Sequence, residues 1–173
     1  MRLTPIILAS LIGFIPFTSK AQTAEATPSK VSENPYAKLR GISYFFIDVI
    51  TTENRIDDSE IRQDIRDTIE LELRRSGLTP KELSQLSSND NSVPLLTVEV
   101  RFDRGSIGRY AADTTLSVKD NAVISRNRET VLAETYSQTK KAVGTNDSSL
   151  NREIKSRARE LVTELIEGIK KNK

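Results

Sequence analysis

The stretch from Ile56 to Leu78 constrains the fold more than any other part of the chain. Asp57 can accept a hydrogen bond from the first free backbone N–H groups of a helix, and Glu60, three residues on, can reach back to close a capping box. Ile56 and Ile61 flank this start as a hydrophobic staple. Ile61, Ile65, Ile69 and Leu73 recur every fourth residue and share one face, while Arg62, Asp64, Arg66, Asp67, Glu70, Arg74 and Arg75 take most of the rest. Gly77 can turn left-handed and let Leu78 fold back on Leu73 as a Schellman stop. Such a helix has one apolar stripe and must lay it on a second layer.

The flanking segments supply that layer. Ile42 to Thr52 is rich in β-branched and aromatic residues and reads as a strand, with Phe45, Ile47 and Val49 on one face and Ile42, Tyr44, Phe46, Asp48 and Ile50 on the other. Thr79-Pro80-Lys81-Glu82 repeats a helix start and predicts a short helix to about Leu86, followed by a loop over Ser87 to Pro94. Leu95 to Arg104 alternates cleanly, with Thr97, Glu99, Arg101 and Asp103 on its polar face. Tyr110 to Lys119 alternates again; beyond it, Asp120-Asn121 is either a hairpin turn or a bulge in a strand that continues through Ile124. Thr130 to Val143 is a polar strand expected near an edge. Asp147 or Ser148 caps a second long helix, Ser148 to Lys170, with Leu150, Ile154, Ala158, Leu161, Leu165 and Ile169 on one face. The fold class is therefore α+β. A two-layer sandwich in the order β-α-β-β-β-α is expected over residues 36–173, with a mostly antiparallel sheet and both long helices on one face.

Residues 1–21 read as a secretory signal peptide: Arg2, an apolar run from Ile6 to Phe17, and Ser19-Lys20-Ala21 as the cleavage site, with cleavage before Gln22. The run is well short of the roughly 20 residues of a spanning helix, so no integral membrane segment is expected after cleavage. Gln22 to Pro35, rich in Ala, Thr, Ser and Pro, reads as a flexible linker. The expected location is the periplasm or the exterior.

Composition removes whole classes of chemistry. The chain has no Cys and no His, which excludes disulfides, thiol nucleophiles, the usual zinc sites and every triad built on His. Without Cys the leader cannot be that of a lipoprotein. Arg2 and Lys20 both lie in the leader, so its removal leaves 24 basic residues against 24 acidic ones, a balance that does not suit nonspecific nucleic-acid binding. Gly105-Ser106-Ile107-Gly108 lacks the Lys-Ser/Thr of a phosphate loop. Asp57-Asp58 and Asn89-Asp90-Asn91 could supply calcium oxygens, but no spacing matches a calcium loop. No catalytic, metal or cofactor residue is assigned, and no cofactor is expected.

One surface stands apart. Tyr44, Phe46 and Asp48 share the second face of the first strand, and Arg101 lies on the polar face of the next. Either Tyr44 and Phe46 pack beneath a loop and Asp48 pairs with Arg101, or the aromatics present a partner-binding surface.

The strand Ile42–Thr52, the helix ending Arg75-Ser76-Gly77-Leu78, the three strands and the terminal helix together resemble small periplasmic α/β accessory domains, such as the TolB amino-terminal domain and LptE. The stretch Val131-Leu132-Ala133-Glu134-Thr135-Tyr136, leading into a long amphipathic helix, is also similar to secreted bacterial domains of unknown function. The resemblance implies a structural or interaction role in the cell envelope. The expectation is a non-enzymatic exported protein that binds or scaffolds another envelope protein or component, or associates with itself. The alternative is a hydrolytic enzyme built on carboxylate, Ser or Lys without metal.

Overall fold

The structure, a computed structural model, describes residues 34–52, 58–87, 92–103 and 110–172. The leader, the linker up to residue 33, the Ile56–Asp57 start of the first helix, the Asn89-Asp90-Asn91 tract and the Gly105–Gly108 connection lie outside the described residues. The elements are β1 (Tyr44–Thr51), α1 (Asp58–Ser76), β2 (Thr79–Glu82), β3 (Leu95–Asp103), β4 (Tyr110–Val123), β5 (Thr130–Gly144) and α2 (Asp147–Lys171). The five strands form one sheet in the order β2-β1-β3-β4-β5.

The helix that anchors the sequence closes as its residues dictate. Gly77 takes φ +84°, its N–H donates to the Arg74 carbonyl, and the Leu78 N–H donates to the Leu73 carbonyl at 3.0 Å. That pair of bonds is the Schellman pattern, and Leu73 and Leu78 are both buried in the core. Ile61, Ile65, Ile69 and Leu73 join Phe45, Ile47 and Val49 of β1, Leu96, Val98 and Val100 of β3, and the α2 stripe in one cluster. Both helices therefore cover the same face of the sheet, as expected of the two-layer α+β sandwich. The two antiparallel ladders, β3 with β4 and β4 with β5, are the longest pairings.

The segment Thr79–Glu82 departs from the expected short helix. It runs parallel to β1 as an edge strand, with Tyr44 opposite Thr79 and Ile47 opposite Glu82. The Schellman turn delivers the chain beside the free edge of β1, where the Thr79 N–H donates to the Ser43 carbonyl. Satisfying that open edge outweighs a weak local helix signal. Pro80 is tolerated because an edge strand can spare one N–H. A capping box does form, but three residues later, between Glu82 and Gln85 on the 3₁₀ turn Leu83–Gln85.

β4 continues past Asp120 to Val123, so the second of the two sequence alternatives holds. Register shifts between Val118–Tyr136 and Lys119–Glu134, leaving Thr135 as the extra residue of a bulge. Its hydroxyl donates to the Val118 carbonyl at 3.1 Å. β5 pairs only with β4 and forms the edge, as its polarity indicated. The cap of α2 is Asn146 rather than Asp147 or Ser148: its Oδ1 accepts from the Ser149 N–H, and the Ser149 hydroxyl accepts from the Asn146 N–H. The segment before β1 is fastened to the helix layer. Asn34 donates to Asn172, Leu39 is fully buried, and the Tyr36 ring fills the notch above Gly168 beside Tyr136.

Candidate functional site

Strand register sets the side chains on the face that no described helix covers. Phe46 aligns with Leu95 and Lys119 in one row. Asp48, Thr97, Ser117 and Ser137 form the next, followed by Ile50, Glu99, Thr115 and Thr139. Arg101, Asp113 and Lys141 form a fourth row. Thr115 and Thr139 share a hydrogen bond of 2.8 Å across β4 and β5.

The four residues singled out from the sequence all lie on this face, but in two environments. Tyr44 and Phe46 meet edge to face at 5.8 Å between ring centroids. Lys81 of β2 places Nζ 3.9 Å from the Tyr44 centroid and 5.4 Å from that of Phe46. The Tyr44 hydroxyl donates to the Ser92 carbonyl at 2.9 Å. Ser92, just before β3, is thereby held at the Tyr44 ring. Phe46 is fully buried, although it lies outside the main core cluster. The aromatics are therefore packed against each other and Lys81, with Phe46 closed to solvent.

Arg101 Nε donates to Glu99 on its own strand at 3.1 Å, not to Asp48. Arg101 lies two rows from Asp48, level with Asp113, which is too far along the strands for a direct pair. The Asp48 carboxylate is half-buried and has no hydrogen-bond partner among the described residues. Ile50 beside it is 44% exposed. The part of this face left open is therefore the Asp48–Ile50–Glu99–Arg101 quarter rather than the aromatic one.

Sequence reasoning missed three contributors. Lys81 was hidden because its segment read as helix. Asp120 was hidden in an undecided turn; it accepts from the Val93 N–H at 2.8 Å and from the Ser92 hydroxyl, and so pins the incoming connection. The third is a chain of polar groups between β5 and α2. The Tyr136 hydroxyl donates to Gln138, Gln138 donates to Glu164, and Lys140 donates to Glu164 and Glu160. Burial pushes the Tyr136 phenol up. The hydrogen bond to Glu164 raises Lys140, and the hydrogen bond from Lys140 lowers Glu160. The i,i+4 spacing of Glu160 and Glu164 was visible, but their cross-layer partner was not.

These shifted groups are paired side by side on the flank of α2. A separate cleft of about 590 Å³ follows α1, lined by Arg62, Gln63, Arg66, Asp67, Glu70 and Glu82, where cations and acids alternate. Among the described residues no three acidic side chains converge as a metal site.

No family model and no curated protein matches the chain. Several solved structures are similar. PelC of Paraburkholderia phytofirmans, a dodecamer, is 17% identical over 70% of this chain and 87% of its own, with a TM-score of 0.39. A minor lipoprotein from Acinetobacter baumannii is 14% identical over 72% and 93%, with a TM-score of 0.37. A DUF330 protein from Xanthomonas campestris is 14% identical over 72% and 83%, with a TM-score of 0.38.

Proposed function

We propose that this is a non-enzymatic exported protein of the cell envelope that binds or scaffolds another envelope component through the open face of its sheet. The likeness to small envelope accessory domains such as the TolB amino-terminal domain and LptE belongs to this proposal, as does a periplasmic or secreted location. The leader pattern of residues 1–21 supports export. The observation that carries the binding reading is the quarter around Ile50, a 44% exposed apolar side chain between the half-buried carboxylate of Asp48 and the Glu99–Arg101 pair. An apolar centre with a charged rim is the anatomy of a protein contact. Tyr44 and Phe46 act here as the packed floor beside the contact.

Site-specific photo-crosslinking in the native envelope tests the reading. A crosslinking residue at Ile50 should yield a discrete adduct. The same residue at Leu71, which is 43% exposed on α1, should not. No adduct at Ile50, or equal adducts at both positions, would overturn the proposal.

A further inference from the structure

A second surface stands at one end of the molecule. β3 pairs with β4 only as far as Lys119, so among the described strands β4 and β5 continue beyond Lys119 and Glu134 as a two-stranded arm, its base held at Asp120 by Ser92 and Val93. Val123 is 59% exposed on the arm, Leu132 49% and Val131 38%. Val123 and Leu132 share one face of the ribbon, and Val131 lies on the other with Ala122. The tip is the loop Ser125–Arg128, closed by bonds from Ile124 N–H to the Glu129 carbonyl and from Arg128 N–H to the Ile124 carbonyl. Arg126 and Arg128 are exposed there, and neither has an ion-pair partner among the described residues. Glu129, the one acid at the tip, accepts from the Asn127 amide.

Arg128 has φ +62° and is the one non-glycine residue with positive φ among those described. Glycine or asparagine would hold that position at lower cost, so an arginine there is a conformational expense without a packing return. The base of the arm adds charge of the same sign. The Gln138–Glu164 and Lys140–Glu160 bonds show that α2 runs antiparallel to β5. Its last turn, with exposed Lys170 and Lys171, therefore lies toward the arm. Lys38 and Arg40, exposed on either side of buried Leu39, lie at the same end.

We propose that this arm docks the domain on an anionic lipid surface. Val123, Val131 and Leu132 enter the boundary between headgroups and acyl chains, and Arg126 and Arg128 meet headgroup phosphates. Apolar side chains on both faces of a ribbon fit immersion in a surrounding medium better than contact with one flat protein surface. A tip-to-tip contact between two copies would bring four arginines together, which argues against a second copy as the occupant.

The test uses the full chain and vesicles of phosphatidylglycerol mixed with phosphatidylcholine, against phosphatidylcholine alone. The chain has no Cys, so Ser125→Cys and, at the opposite end of β5, Ser148→Cys each accept a single environment-sensitive dye. The dye at position 125 should shift to the blue on anionic vesicles only, and the dye at 148 should not respond. Arg128→Gly should weaken sedimentation with anionic vesicles about fivefold for the one lost charge. It should leave the thermal midpoint unchanged or raised, because glycine accepts positive φ freely. Val123→Ser with Leu132→Ser should also weaken binding. Equal dye responses at the two positions, binding indifferent to lipid charge, or tip variants that leave vesicle binding intact would overturn the proposal. So would tip variants that dissolve a dimer instead.

Discussion

Thr114 is fully buried on the helix-facing side of β4, and its hydroxyl has no hydrogen-bond partner among the described residues. An unsatisfied buried hydroxyl carries its desolvation cost, so Thr114→Val should stabilise the protein by about 1 kcal/mol in urea unfolding. Leu73 and Leu71 make the complementary pair on α1. Leu73 is fully buried, and Leu73→Ala should cost about 2–5 kcal/mol; Leu71 is largely exposed, and Leu71→Ala should cost under about 0.5 kcal/mol. The four-residue stripe made that distinction readable before any coordinates. A Cβ on Gly168 would come within 2.2 Å of the Tyr36 ring. Gly168→Ala should therefore destabilise by about 1–3 kcal/mol, and most of that loss should vanish in a Tyr36→Ala background. Nothing in the sequence marked this pair, because a notch between residues 132 positions apart leaves no local signal.

Among the elements, those whose fate is set by their own residues were the ones that could be read. The α1 stop, the α2 stripe and the alternation of β3 each depend on spacing within one segment. β2 was misread because its state depends on the empty edge of β1, which Thr79–Glu82 cannot report. Asp120-Asn121 reads equally as a turn or as a bulge in a continuing strand, because a shift of alternation looks the same in both cases; the strand continues, and the extra residue is Thr135 on the partner strand β5. The β5–α2 contact makes stability depend on pH. Glu160 is held below its ordinary value of 4.5 by the hydrogen bond from Lys140. A carboxylate lowered on folding adds stability that is present above 4.5 and lost as pH falls through the folded value. Lys140 is raised from 10.5, so its contribution holds below 10.5 and fades as pH rises beyond it. Glu160→Gln should flatten the acid limb of the stability profile below about pH 4.5, measured as thermal midpoint against pH.

For the whole molecule, layer counting gave the architecture: two amphipathic helices cover one face of a small sheet and leave the other. The same counting located the candidate site on that other face but misjudged which part of it is open. Two aromatics on a wet face suggested a hydrophobic patch. Phe46 is instead fully buried against Tyr44, and Ile50 is the exposed apolar centre. Lys81 reaches the Phe46 ring from β2, the element the sequence hid. Proposed export predicts that the protein recovered outside the cytoplasm begins at or near Gln22, which intact mass will read; a mature species retaining residues 1–21 would count against it.

The proposed partner engages the sheet face opposite the helices, and amide chemical-shift mapping of the labelled protein with its crosslinked partner, once identified and purified, will read that contact. Perturbations should centre on Asp48, Ile50, Thr97, Glu99, Arg101 and Thr115, with the outward residues of α1 and α2 unmoved. Perturbations confined to those helix residues, with the sheet face silent, would contradict it.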